Sequence, residues 1–389
     1  MKYIQLAAIL TATLAIACTS SEEQKDSSAD QASAYSLIPI DSFRIERLTR
    51  VTITDYSPEE KIFLGHLSIA DTLMEISEQG EVLKSVYRKG DGPDTYGPRA
   101  LLGLGFGENG ERIVEPSMGW ARYDQNWNLI DKSIVRGPLP VMTFAPLGRT
   151  QYYMQDDVPV YIVGPTAYIS AHHIAQVPVM KDTLKSLHTF KQDDKTQGSI
   201  IPYDLAGYSP ESKTFYPEVM GKRFFIADQK LYLLHEVGQE IQVYDITNDF
   251  ALSEKIPVNY EDFKRLDPIS IETPSEDPAM KAFNYIAGRN KSFIDLGNGF
   301  WLLEYYTGIS ESTFEAKVAI DESYDPKNDP ENLRMLLFKD GKQLDGTLPL
   351  LSKDMLVTMG DGRLLVRRPA STEVEEEFTD FVIYKLATQ

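Results

Sequence analysis

The 389-residue chain has a single cysteine, Cys18. That excludes an intramolecular disulfide and any zinc cluster built on cysteines. Histidine is scarce, with five in all. Cationic charge is in deficit: 39 Lys+Arg against 58 Asp+Glu leave a net charge of −19. This opposes binding to nucleic acid, whose phosphates demand a cationic surface, and adsorption to anionic lipid by charge alone. Helical periodicity is nearly missing beyond residue 36. What the chain does have is apolar content, 42% of residues, enough to bury a core and to exclude a disordered protein.

The N-terminus reads as an address. Lys2 precedes a mostly apolar stretch over residues 3–17. At about 1.5 Å per residue this stretch spans about 22 Å, short of a ~30 Å hydrocarbon core, so it fits a signal peptide better than a membrane span. It ends Leu14-Ala15-Ile16-Ala17-Cys18, which resembles a bacterial lipobox. The resemblance implies cleavage after residue 17 and lipidation of Cys18. Leu14 stands four residues before the cysteine, and Ala15 takes the place where the usual pattern has leucine. A free or buried thiol after ordinary secretion is the alternative. Residues 18–35 carry almost no large apolar side chain and are expected to form a flexible tether. Within them Glu22-Glu23 resembles the acidic export signal of Bacteroidetes surface lipoproteins. The expected location is therefore the cell envelope, on the outer membrane, with display at the surface implied by that signal.

From residue 36 onward the chain repeats a unit: short β-branched and aromatic runs separated by Gly, Asn, Asp and Pro. Outer pairs are read at 72–87, 120–135, 241–258 and 334–350, a weaker one at 177–191 and a half-unit at 381–388. Inner pairs are read at 61–71, 101–116, 160–172, 222–237, 292–306 and 354–369. Six units of about four strands predict an all-β, six-bladed β-propeller of four-stranded antiparallel blades over residues 36–389. The sixth unit is one strand short. Residues 37–50 have no partner of their own, and within them Arg44-Ile45-Glu46-Arg47-Leu48 alternates polar and apolar. The prediction is that about residues 42–50 close the ring by pairing with 380–387, since an open ring leaves two bare edges. Two insertions interrupt the pattern. Residues 259–291 are expected to hold a short helix with Ser275 as N-cap, Pro278 in its first turn and Gly288 after its end. Residues 310–332 are expected to be a long acidic loop.

The six units, the lipobox and the glycine-rich link at 88–98, with Gly90-Asp91-Gly92-Pro93, together resemble the TolB-like six-bladed β-propeller lipoproteins of Bacteroidetes. Here Asp94-Thr95-Tyr96 follows where a Gly-Glu-Phe-like stretch is usual. The resemblance covers about residues 36–389. It implies fold and location, and almost no chemistry.

Linear catalytic motifs are few. Gly105-Phe106-Gly107-Glu108-Asn109-Gly110 has dinucleotide-loop spacing, but a strand-like run follows where a helix is required, and Asn-Gly is a hairpin turn. The chain has no repeated Ser-x-Asp-x-Gly turns, no G-x-S-x-G elbow and no H-E-x-x-H pair; His235-Glu236 lacks its second histidine. His172 and His173 are neighbours, so on a strand at most one faces a channel. One packed and one solvated histidine is the bland reading; a metal or proton-transfer role is the sharper one. The run from Asp321 to Asp329 offers carboxylates without EF-hand spacing, as a solvated loop would. The link places Arg88, Lys89, Asp91, Tyr96 and Arg99 together, either as a blade connector or as an anion or sugar site at a channel mouth. The 21 tyrosines and 17 phenylalanines suit stacking between blades, sugars or interfaces alike.

Every tested catalytic signature fails, so the expected function is a non-enzymatic binding or scaffold propeller for a protein or glycan. It would be joined to the membrane through Cys18, with no nucleic-acid partner and no cofactor. The alternatives are a hydrolase or lyase whose site is assembled at the channel from several blades, and a signalling or assembly component of the envelope.

Overall fold

A computed structural model describes residues 31–389 apart from 136–146, 164–184, 203–207, 210–212, 216–220, 271, 275, 352, 354 and 372–375. Cys18, His172 and His173 lie outside the described residues, as do the signal peptide and most of the expected tether.

Six four-stranded antiparallel sheets form the six blades predicted from the sequence. In blade 1 the strands are Val51–Ser57, Ile62–Leu67, Thr72–Ser77 and Val82–Tyr87, in spatial order. Blades 2 to 5 repeat this order, and each begins at its innermost strand. The innermost strands touch around the ring: Val51–Ser57 meets Leu101–Phe106 of blade 2 on one side and Met355–Gly360 of blade 6 on the other. Lys222–Ala227 of blade 4 and Arg289–Gly297 of blade 5 adjoin in the same way.

Blade 6 is completed by the N-terminal strand Tyr35–Glu46, which pairs antiparallel with Phe378–Thr388 along its whole length. Ring closure by an N-terminal strand is as the sequence predicts, with its span moved toward the N-terminus. Residues 47–50 leave the ladder. The run Val51–Ser57, which the reading of inner pairs passed over, is the innermost strand of blade 1. The fold also begins earlier than residue 36: Ala32 is fully buried, and its N–H donates to the Asp345 carbonyl at 2.7 Å.

Each blade interface has its own apolar core. Phe43, Ile53, Phe63, Val357 and Phe381 fill the interface between blades 6 and 1. Trp120 of blade 2 packs on Phe190 of blade 3, with ring centroids 4.7 Å apart. Trp301 of blade 5 meets Tyr232 of blade 4 at 4.6 Å. Many of the abundant aromatics are thus spent between blades, where large rigid rings bury the most area for the least entropy.

Strand alternation gives the disc two unlike faces. Connections from first to second and from third to fourth strands fall on one face, the turn face. None there is longer than five residues. Its five two-residue turns, Asp156-Asp157, Asp228-Gln229, Asn298-Gly299, Asp340-Gly341 and Asp361-Gly362, hold both residues at positive φ, the geometry that matches strand twist in a hairpin. The remaining connections fall on the opposite, insertion face. There α1 (Pro278–Tyr285) and α2 (Glu311–Val318) sit, together with a small sheet of Tyr208–Ser209, Thr214–Phe215 and Ile269–Ser270.

Two expectations are corrected here. The N-cap of α1 is Asp277, whose carboxylate accepts from the Ala279 N–H at 2.8 Å, with Pro278 at the first position. The acidic stretch 310–332 is not a plain loop: Ser310 caps α2 by accepting from the Thr313 N–H at 3.0 Å, and two short 3-10 turns follow. Blade 3 also differs from its sequence reading. Its inner pair is Gln151–Gln155 and Val158–Val163, and of 177–191 only Lys185–Lys191 is described as strand.

Candidate functional site

The link at 88–99 crosses the insertion face from the outer strand of blade 1 to the inner strand of blade 2. Arg88 donates from Nε and Nη2 to the Trp127 carbonyl at 3.0 and 2.9 Å. Lys89 pairs with Asp71 at 2.9 Å. Tyr96 is buried in the core between blades 1 and 2. Gly90 (φ 134°) and Gly97 (φ 111°) take conformations that a side chain would strain, and their backbones bond each other at 3.0 Å. Asp91 and Arg99 are exposed; Arg99 reaches the Met118 sulfur at 3.5 Å. These contacts build a connector, and none of its residues lines the channel cavity described below. Arg88→Ala should cost about 1–2 kcal/mol, because it strips a charged donor from the partly buried carbonyl of Trp127. Arg99→Ala should stay within about 0.5 kcal/mol. Urea unfolding of the two variants checks the contrast.

The channel is built from residues that sequence reading did not single out. Asp55 sits beside a bulge in the inner strand of blade 1 and is 1% exposed. One carboxylate oxygen accepts from the Tyr56 N–H at 2.9 Å, and the other from the Phe106 N–H of blade 2 at 2.9 Å. Arg149, at the entry to blade 3, meets it through Nε at 2.9 Å. A single carboxylate therefore ties three blades together at their inner edges. Burial pushes the Asp55 carboxyl above its ordinary range, while Arg149 and the two N–H donors oppose that rise. Gly105 permits the close approach beside it, since a Cβ there would stand 2.7 Å from the Thr150 carbonyl oxygen. Gln151 ties blade 3 to blade 4: its amide donates to the Phe224 carbonyl at 3.1 Å and accepts from the Ile226 N–H at 3.2 Å. Thr358 of blade 6 donates to the Asp295 carbonyl of blade 5.

These strands enclose a cavity of about 350 Å³, within the size range of small-molecule pockets. Its walls are largely apolar: Phe224 and Ile226 from blade 4, Phe293 and Ile294 from blade 5, Leu356 and Met359 from blade 6. Among the described lining residues only Arg149 and Asp295 carry charge. Asp295 accepts the Gly297 N–H at 2.9 Å. Its carboxyl is raised first by burial and further by nearby Asp228, with Arg149 opposing. Tyr56 stands at the turn-face end, donating to Glu78 at 2.6 Å, and Glu78 also receives Arg363 at 3.1 Å. The signal available in the sequence is an aspartate inside an otherwise β-forming run, in VTITDYS and again in SFIDLG. Among the described residues, no group of three His, Cys, Asp or Glu side chains is placed to hold a metal ion, and no helix is long and apolar enough to cross a membrane.

No family model matches the chain, and no curated protein matches its sequence. Solved structures do. A DUF4221 family member from Bacteroides vulgatus superposes with a TM-score of 0.61 at 11% identity, covering 91% of this chain and 99% of that one. A Bacteroides fragilis protein gives 0.51 at 10% identity, covering 92% and 96%. At such identities the likeness is one of fold: this chain shares its six-bladed architecture with propellers of Bacteroides.

Proposed function

We propose that the protein is an envelope lipoprotein, of the TolB-like kind its sequence resembles, held by lipid on Cys18 and binding a protein or glycan partner through its insertion face. The supporting observation is the placement of the two faces relative to the N-terminus. Tyr35 pairs with Thr388 at the turn-face rim, so the chain enters the disc on the side of the tight turns. An anchor thirteen to seventeen residues upstream biases the turn face toward the membrane and leaves the insertion face outward. Loops carried on a rigid scaffold are where binding residues concentrate. The outward face carries apolar and aromatic side chains: Tyr285 of α1 stacks on Phe314 of α2 with centroids 5.0 Å apart, and Ile320 is 89% exposed.

Cys18→Ala should move the protein from the salt-washed membrane pellet to the soluble fraction without changing its melting temperature, because residue 18 lies upstream of every described packing contact. A variant that still pellets after the salt wash would refute the lipid anchor. A partner recovered with the native lipoprotein from its own envelope should be lost with Ile320→Glu and retained with the rim variant Leu83→Glu. The reverse pattern would move the binding surface off the insertion face.

A further inference from the structure

The channel cavity differs from the inter-blade cores in one respect: a carboxylate with little compensation lies in its wall. Arg149, the other charged lining residue, is already paired with the buried Asp55 carboxylate. Asp55 thereby offsets part of the Arg149 charge, and the remainder acts on Asp295 against the rise caused by burial. Among the described residues Asp295 forms no ion pair, and Arg149 acts on it only at longer range. It accepts one backbone N–H at 2.9 Å, and Asp228 on the neighbouring blade acts on it as a like charge. Phe224, Phe293, Leu356 and Met359 line the space around Asp295, together with the polar side chains of Thr54, Gln151 and Thr358. A half-buried carboxylate beside apolar walls gains from a counter-charge, and aromatic faces add attraction for a cation. The chain as a whole carries −19, a field that draws cations and repels anions.

We infer that the central cavity is a binding site for a small organic cation, an amine with an apolar body whose ammonium group pairs with Asp295 while its body lies against Phe224, Phe293 and Met359. This site is separate from the insertion face and does not depend on the anchor, so it stands or falls independently of the proposed function.

The test uses three probes of one shape and different charge: benzylamine, benzyl alcohol and benzoate. Each is titrated at pH 7 into the folded protein by calorimetry. Benzylamine should bind saturably, at least ten times tighter than the other two. Asp295→Asn should weaken benzylamine at least tenfold, about 1.4 kcal/mol, and leave benzyl alcohol unmoved. A second measurement needs no variant. Benzyltrimethylammonium keeps its charge at every pH, so its affinity for the unmodified protein should fall as acid protonates Asp295. The groups facing that carboxyl are Asp228 on blade 4 and the Arg149–Asp55 pair; the first raises and the second lowers the pH at which the loss occurs. Equal binding of alcohol and amine, an Asn variant that binds amine as before, pH-independent binding of the quaternary probe, or no saturable binding of any probe would each overturn the inference.

Discussion

A chain beginning at Leu48, without the closing strand, should melt about 10 °C or more below one beginning at Gln31, and should self-associate. The strand Tyr35–Glu46 supplies the outer edge of blade 6 and a share of its core. Tyr35 is 6% exposed, Phe43 7% and Ile45 1%. At about 1.5–3 kcal/mol for each of these three buried side chains, their loss removes roughly 4.5–9 kcal/mol before any ladder hydrogen bond is counted. Phe43 carries most of the closure, because it stacks on Phe381 at 5.1 Å in its own blade and contacts Phe63 of blade 1 at 5.6 Å. Deletion would leave Phe378–Thr388 as a bare apolar edge, the usual template for edge-to-edge association. The cut must stop before Val51, since Val51–Ser57 is the inner strand of blade 1 and its removal would damage a second blade. Two point variants separate the contributions. Phe43→Ala should cost about 3–5 kcal/mol. Arg44→Ala should leave the melting temperature almost unchanged, although Arg44 makes a two-pronged contact with Asp380 at 2.7 and 3.0 Å, because that pair is solvent-exposed. Equal melting of the two chain lengths in differential scanning calorimetry would show that the ring closes without this strand.

The repeat was legible because alternating runs and two-residue turns impose a period that survives irregular detail. The closing strand was legible from a deficit: five units had four strands and the last had three. Its position was read too late in the chain because Pro39 and Asp41 interrupt the alternation before Phe43. The fold tolerates both. Pro39 lies on an outermost strand, where a missing N–H costs least, and the register shifts between Pro39 and Asp41. Blade 3 was misread for a similar reason. Its first hairpin turns on Asp156-Asp157, with both residues at positive φ and no glycine to mark the turn. The helix α2 was missed because it has no buried residue and so leaves no apolar stripe in the sequence. The channel was illegible as a site. Asp55, Arg149 and Asp295 come from different blades, and only ring closure brings the inner strands that carry them together. No spacing rule records that neighbourhood.

Between blades 1 and 2 lies a buried ionic network whose disruption should rival the loss of Phe43. Arg112 is 1% exposed and Glu75 3%. The Arg112 Nε donates to Glu75 at 2.8 Å, and its Nη1 and Nη2 donate to Glu60 at 3.1 and 2.8 Å. The same Glu75 oxygen accepts from the Trp127 indole N–H at 2.8 Å. A second cation, Lys84, stands 3.5 Å from Glu75 and is 41% exposed. Removing one partner of such a pair strands the other, which typically costs about 3–5 kcal/mol, more than the intact pair is worth against an apolar replacement. Arg112→Met fills most of the same volume, so the loss should come from the carboxylate left behind and not from a void. It should lower stability in urea by about 3–5 kcal/mol. Adding Glu75→Gln to it neutralises the stranded charge while leaving an oxygen for Trp127, so the double variant should be more stable than Arg112→Met alone. If the single variant stays within about 1 kcal/mol of the parent, Lys84 and Trp127 suffice to hold Glu75. If the double variant is less stable than the single one, the cost lies in packing and the network is not electrostatic in its effect.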